Sequence, residues 1–323
     1  GGIFDSSFSP GCSAMPSLKS GCGIDYIECL FVSDDVENGR ESAIDGSPVR
    51  SVDAALHYLA QQQARGLRHA LVVGVCDQPD LKRPLESHFC IQRLLRAARQ
   101  QFGDSFSLIA DVGLSPYQAD GHSVVLNGSG PDSIDTEASY AAAVAMGIAF
   151  IRSGADAVAP CLSLPEQTRR LRDALDAAGL SHGEVLPYAI KFSSSLYGPY
   201  RGAIGSALGC VRKPYQFDQS DTSQAMAQFQ EDLRDGASGV IVKPALPYLD
   251  LLAQAVSRST APVAVYHVSG EYMMAIQASA SGLINLEDYF DEVHQAFQRC
   301  GARYVIGYAA DHFLRWQQGR AAG

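Results

Sequence analysis

Lysine is scarce in this sequence, which has only five among its 25 basic residues. Three of them, Lys19, Lys82 and Lys213, lie in polar or irregular stretches, whereas Lys191 and Lys243 each close a short apolar, β-branched run. A buried amine is unfavourable unless it is neutral, paired or used in chemistry. Burial and nearby cations lower its pKa to roughly 7–8, where it can form imines with carbonyl substrates. For either lysine alone, the alternative is a side chain that reaches out to a surface salt bridge.

Other absences exclude whole classes of protein. No apolar run approaches the roughly 18 residues needed to cross a bilayer. No basic block offsets the net charge of −10, which argues against nucleic acid or a membrane as a partner. The eight cysteines form no C-x-x-C pair and the histidines show no H-x-x-x-H spacing, so we expect reduced thiols and no metal site from composition. Residues 1–23 lack a signal-peptide pattern, and we expect an irregular N-terminal arm on a cytoplasmic protein.

Strand-like apolar runs alternate with amphipathic helical stretches from residue 24 onwards. The runs are IDYIECLFV (24–32), HALVVGV (69–75), FSLIADV (106–112), DAVAP (156–160), VLPYAIKF (185–192), GVIVKP (239–244), APVAVYHVS (261–269) and ARYVIGY (302–308). Because apolar runs without alternation are buried on both faces, they indicate a parallel sheet. The pattern predicts a single (β/α)8 TIM barrel, an α/β fold, over residues 24–323. An open doubly wound sheet is the alternative, although no G-x-G-x-x-G or P-loop follows the first strand.

Two interruptions are longer than a barrel needs. One is the segment from about 33 to 50, which we expect to be irregular. The other covers residues 198–224, is rich in glycine, serine and basic residues, and directly follows the Lys191 strand. Long loops on the catalytic side of a compact domain are usually functional. We therefore predict that residues 198–224 form an active-site lid.

In a barrel, polar residues at the carboxyl ends of the strands belong to the active site. The sequence places five such residues at the ends of strands three, five, six, seven and eight: Asp111, Lys191, Lys243, Ser269 and Tyr308. Tyr266 and His267 lie close to them in the chain. Five converging polar groups, two of them amines, are hard to explain as packing. The sequence therefore predicts an active site with two amines.

Three segments in the second half of the chain resemble one enzyme family. They are YAIKFSSSLYGPYR (188–201), VKPALPYLDLL (242–252) and PVAVYHVSGEYMM (262–274). These segments resemble the two lysine motifs and the Tyr-His-Val-Ser-Gly-Glu strand end of porphobilinogen synthases, the 5-aminolevulinate dehydratases of tetrapyrrole synthesis. The resemblance spans roughly residues 27 to 317. It implies a TIM-barrel lyase that joins two 5-aminolevulinate molecules into a pyrrole with loss of water. It also implies a homo-oligomer, from dimer to octamer, in which the N-terminal arm embraces a neighbour.

The resemblance also assigns roles to single residues. Lys191 and Lys243 would bind the ketones of the A-side and P-side substrates as imines. The remaining matches are the A-side carboxylate ligands Arg201, Arg212 and Gln216, the P-side carboxylate ligands Ser269 and Tyr308, and Asp111 near the P-side amine. The alternatives for single residues are a surface charge for either arginine, a helix cap for Ser269, a core tyrosine at 308 and a loop brace at Asp111.

The chain departs from the family where a metal is expected, after the third strand. Gly113, Ser115 and Ser123 stand at the three ligand positions, and neutral hydroxyls and glycine hold Zn²⁺ poorly. Asp120 and His122 are the nearby residues left to hold a cation weakly. We therefore expect no catalytic zinc and assign no metal ligand, while magnesium stays open.

A second departure follows the fourth strand, where the family has a Ser-Asp pair that helps to dock the P-side amine. This chain has Cys161 and Leu162 there, and Ser163 would substitute only if the loop shifts. Three functions follow in order. The first is metal-independent porphobilinogen synthesis. The second is a diverged paralogue in specialised metabolism that condenses related aminoketones into another heterocycle. The third is a non-catalytic binding protein, which the two retained lysines disfavour.

Overall fold

The computed structural model describes residues 23–128, 133–206 and 217–321. In these ranges the strands, in chain order, are β1 (Asp25–Val32), β2 (Gly39–Arg40), β3 (Val49–Arg50), β4 (His69–Gly74), β5 (Ser107–Val112), β6 (Ala157–Pro160), β7 (Glu184–Val185), β8 (Ile190–Lys191), β9 (Val240–Lys243), β10 (Val263–Tyr266) and β11 (Tyr304–Gly307). The barrel strands pair in parallel in the order β7-β6-β5-β4-β1-β11-β10-β9-β8. All eight predicted strands are confirmed.

The segment from Glu184 to Phe192 closes the barrel. On one side, the backbone N–H groups of Leu186 and Tyr188 donate to carbonyls of β6 and the residue at its end, at 2.9 and 3.1 Å. On the other side, the carbonyls of Val185 and Pro187 accept from the β9 segment, both at 2.9 Å. Pro187 has no N–H to give to the ladder, so this strand is divided into β7 and β8. The TIM-barrel prediction is thus confirmed.

Helices connect the strands and cover the barrel. They are α1 (Val52–Ala64), α2 (Cys90–Phe102), α3 (Thr136–Ser153), α4 (Gln167–Ala177), α5 (Gly198–Ile204), α6 (Ser223–Arg234), α7 (Leu249–Arg258), α8 (Ser269–Ala280), α9 (Leu286–Cys300) and α10 (Ala310–Ala321). Ser51, Asp135 and Asn285 start α1, α3 and α9, and each side chain accepts a hydrogen bond from a backbone N–H in the first turn. No helix in the described ranges is long and apolar enough to span a membrane.

The prediction of an irregular segment from 33 to 50 was wrong in part. Residues of β2 and β3 pair antiparallel, and β3 also pairs in parallel with the end of β1. Each of these strands has only two residues, too few for a period-two pattern to be visible in the sequence. The predicted lid also has regular structure, since α5 occupies its beginning and α6 starts at Ser223. Residues 207–216 of that lid, and the predicted arm at 1–22, lie outside the described residues.

Candidate active site

The two lysines lie side by side on neighbouring strands. Lys191 ends β8 and Lys243 ends β9, and their Cα atoms are register partners in the parallel ladder. Both side chains are buried. They line one cavity at the carboxyl end of the barrel, whose other lining residues are Asp111, Gly113, Ser115, Gly121, Cys161, Tyr188, Tyr197, Tyr200, Arg201, Ile204, Ser206 and Tyr266. The structure thus brings Lys191, Lys243, Asp111 and Arg201 together, as the sequence predicted.

Lys243 is enclosed by tyrosine rings. Its Nζ lies 4.5 Å from the ring centroid of Tyr266, 5.0 Å from Tyr197, and 5.2 Å from both Tyr188 and Tyr200. Burial lowers the pKa of Lys243 to about 8, and the neighbouring Lys191 amine lowers it further in the same direction. Ring faces attract a cation and oppose this shift. An amine in these surroundings is partly neutral near neutral pH and can act as a nucleophile.

Lys191 has a different polar neighbour. Its Nζ donates a hydrogen bond to the Sγ of Cys161, which follows β6, at 2.6 Å. It also lies 5.8 Å from the centroid of the Tyr188 ring. The two amines therefore share one cavity but differ in their partners, since a thiol contacts Lys191 and aromatic faces surround Lys243.

Asp111 lies at the end of β5 and accepts a hydrogen bond from the Tyr188 hydroxyl at 2.8 Å. Burial raises the pKa of the Asp111 carboxyl, while the Tyr188 hydrogen bond and the two lysines oppose that rise. A Cβ at Gly113 would lie 2.7 Å from Asp111 Oδ2, so the glycine leaves room for the carboxylate. Asp111 is placed to hold an ammonium group inside the cavity.

Arg201 projects from α5 into the same cavity and is buried, so it is not a surface charge. Its guanidinium lies 5.8 Å from the ring centroid of Tyr197. Its Nη1 has no hydrogen-bond partner among the described residues. A buried guanidinium N–H without an acceptor is unfavourable, and a carboxylate ligand would satisfy it. Arg212 and Gln216, the other two predicted ligands of that carboxylate, lie outside the described residues.

Ser269 and Tyr308 lie behind the cavity wall. The Oγ of Ser269 accepts a hydrogen bond from the backbone N–H of Tyr200 at 2.9 Å, and the hydroxyl of Tyr308 lies 3.1 Å from that of Tyr266. Neither is among the residues that line the cavity. Ser269 is the first residue of α8, not its cap, because the Glu271 carboxylate accepts from the Val268 N–H in that role.

Glu271 also fixes the loop that follows Lys243. Its carboxylate accepts from the backbone N–H groups of Leu246 at 2.7 Å and Ala245 at 3.4 Å. Burial raises the pKa of Glu271 to about 7, against the effect of these backbone donors. One side chain thus holds the Lys243 loop against the helix that begins with Ser269.

The sequence placed His267 close to the site, and this was wrong. Tyr266 lines the cavity, but successive residues at a strand end point to opposite faces. His267 therefore packs against α9, where its Nε2 lies 3.1 Å from the Tyr289 hydroxyl. The sequence reading also missed the tyrosines at 188, 197 and 200, although all three are in the first lysine motif. Their signal was an aromatic residue at three- and six-residue distances around Lys191 and Arg201.

The residues at the expected metal positions do not fit a zinc ion. Gly113 and Ser115 line the cavity but offer no thiolate, imidazole or carboxylate. The Asp120 carboxylate accepts a hydrogen bond from the backbone N–H of His122 at 2.9 Å. In the described ranges, no three His, Cys, Asp or Glu side chains cluster closely enough to hold a metal ion. We route no step of the chemistry through a metal.

The fold and the cavity define a class of protein, an α/β barrel with two lysine amines in one enclosed site. The family model of delta-aminolevulinic acid dehydratase matches residues 22–316. The chain therefore belongs to the delta-aminolevulinic acid dehydratase family. The Eremothecium gossypii enzyme of that name is 35% identical over 302 residues, which are 90% of this chain and 87% of that protein. The Mycobacterium tuberculosis H37Rv enzyme is 32% identical and covers 89% and 88% of the two chains.

Solved structures agree. The chain superposes with a TM-score of 0.85 on delta-aminolevulinic acid dehydratase (porphobilinogen synthase) from Toxoplasma gondii ME49 in complex with the reaction product porphobilinogen. The two are 32% identical, and the match covers 90% of this chain and 84% of the other. Dihydropteroate synthase from Vibrio fischeri has a TM-score of 0.52 at 12% identity, which shows the shared fold alone.

Proposed function

We propose that this chain is a hydro-lyase that condenses two 5-aminolevulinate molecules to porphobilinogen through imines on Lys243 and Lys191. The family membership supports the overall reaction. The observation that carries the two roles is the pairing of both amines, on adjacent strands, in one enclosed cavity. Two ketone substrates bound to neighbouring amines are held close enough to react with each other.

Lys243 is the better-prepared nucleophile at neutral pH. Its lowered pKa, about 8, leaves a fraction of the amine unprotonated, and the tyrosine rings exclude water around it. Its amine adds to the ketone of one 5-aminolevulinate and loses water to give an imine. Lys191 binds the ketone of the second substrate in the same way. Carbon–carbon and carbon–nitrogen bond formation between the two then closes the pyrrole ring.

The charged groups of the cavity orient the two substrates. The unpartnered Nη1 of Arg201 is placed to receive the carboxylate of the Lys191-bound molecule. Asp111 receives the ammonium group of the Lys243-bound molecule, and Tyr188 holds that carboxylate in position. Ser269 and Tyr308 would contact the other carboxylate after α5 and the Tyr266 side chain move, because both now contact those elements.

We further propose that the reaction needs no catalytic zinc. The support is the donor set around Gly113 and Ser115, which lacks the ligands that zinc requires. Activity should survive exhaustive dialysis against EDTA. Loss of activity in EDTA that added zinc restores would contradict this part and leave the lysine roles intact.

The central experiment is reductive trapping. The protein is incubated with 5-aminolevulinate and borohydride, digested, and analysed by peptide mass spectrometry. We expect adducts on Lys243 and Lys191, no porphobilinogen formation by Lys243→Ala, and unchanged behaviour of Lys82→Ala, whose lysine is exposed and remote. The absence of any adduct on Lys243 would overturn the proposal.

A second substrate class is favoured by one observation. Cys161 contacts Lys191 and Leu162 is buried, where the family pattern has groups that dock a substrate amine. If product analysis gives a heterocycle other than porphobilinogen from a related aminoketone, the chain is a diverged paralogue. Homo-oligomer formation stays a prediction, and light scattering of the purified chain tests it.

A further inference from the structure

The thiol of Cys161 is set apart from the other cysteines by its position. It follows β6 at the carboxyl end of the barrel and is, in the described ranges, the one thiol that lines the lysine cavity. Its Sγ accepts from Lys191 Nζ at 2.6 Å. Backbone pairing fixes this approach, because the Tyr188 N–H donates to the Pro160 carbonyl, next to Cys161, at 3.1 Å.

We propose that Cys161 is a catalytic acid–base group that moves the proton during imine formation at Lys191. This rests on the proposed function, in which Lys191 reacts with a ketone. The Lys191 amine adds to the ketone carbon and gives a carbinolamine. The Cys161 thiol then gives its proton to the carbinolamine hydroxyl, the C–O bond breaks, and one water leaves. An iminium on Lys191 beside a Cys161 thiolate results, and the thiolate takes the proton back when the imine is later released.

The chemistry of a thiol suits this task. A thiol ordinarily titrates within reach of neutral pH, with a pKa of about 8.5, so it can both give and accept a proton. A thiolate beside an iminium is also a favourable ion pair in a site that excludes water. A group within hydrogen-bond reach of the amine nitrogen is within reach of the oxygen that leaves from the adjacent carbon.

The other titratable groups of the cavity are less able to do this. Asp111 accepts from Tyr188 and lies on β5, and Arg201 does not give up a proton at ordinary pH. Lys243 is engaged with its own substrate. Tyr197 donates its hydroxyl proton to the Phe192 carbonyl at 2.5 Å. Cys161 is thus the group in contact with Lys191 that has a proton to move.

The test compares Cys161→Ala and Cys161→Ser with the unmodified chain in the trapping experiment. Rapid-quench samples give the rate of borohydride-trapped adduct at Lys191 and at Lys243 separately. Loss of an acid–base group slows its step by roughly 100-fold or more. We expect that loss at Lys191 in Cys161→Ala, an unchanged rate at Lys243, and a fall in kcat with little change in KM. Cys161→Ser should lie between the two, and Cys300→Ala, which changes a thiol outside the cavity, should match the unmodified chain.

Chemical rescue separates proton transfer from a structural role. Small acids such as imidazolium should restore part of the Lys191 rate in Cys161→Ala, with a dependence on the concentration of the protonated form. The Lys243 adduct shows in the same sample that the variant is folded. An unchanged Lys191 rate in Cys161→Ala would overturn the inference, and so would a slow rate that no acid rescues. If the unmodified chain gives no Lys243 adduct, the proposed function fails instead.

Discussion

Lys243 shows how surroundings convert an ordinary side chain into a nucleophile. Burial is the largest cause of its lowered pKa of about 8, and the adjacent Lys191 adds to it. At pH 7 an amine with that pKa is about a tenth neutral, which is roughly 300-fold more than for a lysine in water. The pairing of Lys191 and Lys243 in the ladder is therefore an electrostatic device as well as a way to bring two substrates together.

The pH dependence of Lys243 should respond oppositely to two substitutions. Lys191→Met removes a cation and should raise the pKa of Lys243, which moves the rise in adduct formation to higher pH. Asp111→Asn removes an anion and should lower that pKa. The measurement is the rate of trapped adduct at Lys243 between pH 6 and 10. Lys82→Met serves as the control, and shifts of equal sign in the two site variants would contradict the electrostatic explanation.

Arg201 should show a trade-off between stability and function. Its buried Nη1 has no acceptor among the described residues, so Arg201→Met should not lower the thermal unfolding midpoint. The lost charged hydrogen bond to a carboxylate, about 1.5–3 kcal/mol, should lower kcat/KM by roughly 10- to 150-fold. Differential scanning fluorimetry and steady-state kinetics measure the two effects, with the exposed Arg96→Met as control. A lower midpoint with unchanged kinetics would show that Arg201 is structural.

At the scale of elements, the start of α8 is joined to the start of the lid. Ser269 accepts from the Tyr200 N–H, and Gly270 lies against the backbone of Leu196. A Cβ at position 270 would be 2.5 Å from the Leu196 carbonyl oxygen and 2.7 Å from its Cα. Backbone atoms cannot move aside as a flexible side chain does. The glycine of the Ser-Gly-Glu motif is thus required by close packing.

Gly270→Ala should therefore displace the lid helix α5 while the barrel stays folded. Overpacking of this kind costs about 1–3 kcal/mol. We expect a fall of at least about tenfold in kcat/KM and a lower unfolding midpoint. Gly198→Ala is the matched control, because a Cβ there would meet nothing within 4 Å. Equal activity of the two variants would show that the α8 contact does not position the lid.

The elements that could be predicted from the sequence are those with strong local patterns. The eight barrel strands are apolar runs bounded by polar residues, and these were found. Two-residue strands such as β2 leave no pattern, because only pairing with a neighbour defines them. The division of the closing strand required knowledge that both of its sides are paired, so Pro187 gave no usable signal on its own.

The site could be predicted only in part for a similar reason. Buried lysines are rare enough that Lys191 and Lys243 were visible in the sequence. Which neighbours face them depends on the geometry of the closed barrel, so Tyr266 and His267 could not be assigned to opposite faces with certainty. The contact between Cys161 and Lys191 joins two strands and has no trace in the local sequence.

At the scale of the whole molecule, a buried histidine pair makes the fold sensitive to acid. His294 is enclosed by aromatic rings, and neither ring nitrogen has a hydrogen-bond partner among the described residues. Burial lowers the pKa of His294 to about 3 and that of His267 to about 4. The folded state therefore keeps both rings neutral where the unfolded chain takes up protons. Their contribution to stability is fully present above about pH 6.5 and falls as the pH drops towards 4.

His294→Leu should remove part of this acid sensitivity. The free energy of unfolding of the unmodified chain should fall relative to the variant by up to about 1.4 kcal/mol per pH unit below 6.5. Urea unfolding at pH 7, 6, 5 and 4 measures the difference, which should reach roughly 3 kcal/mol at pH 4. His57→Leu, at an exposed position, should follow the unmodified chain. Parallel curves for His294→Leu and the unmodified chain would contradict the assignment.

The position of two amines at the same level of adjacent strands has a consequence for inhibition. Neighbouring strands lie about 4.8 Å apart, so one small molecule with two ketone groups separated by a single carbon can react with both lysines at once. Such a compound would staple β8 to β9 covalently after reduction. It would exclude both substrates while tying together the place where the barrel closes, so a compound of that shape is a rational starting point for inhibitors of this enzyme.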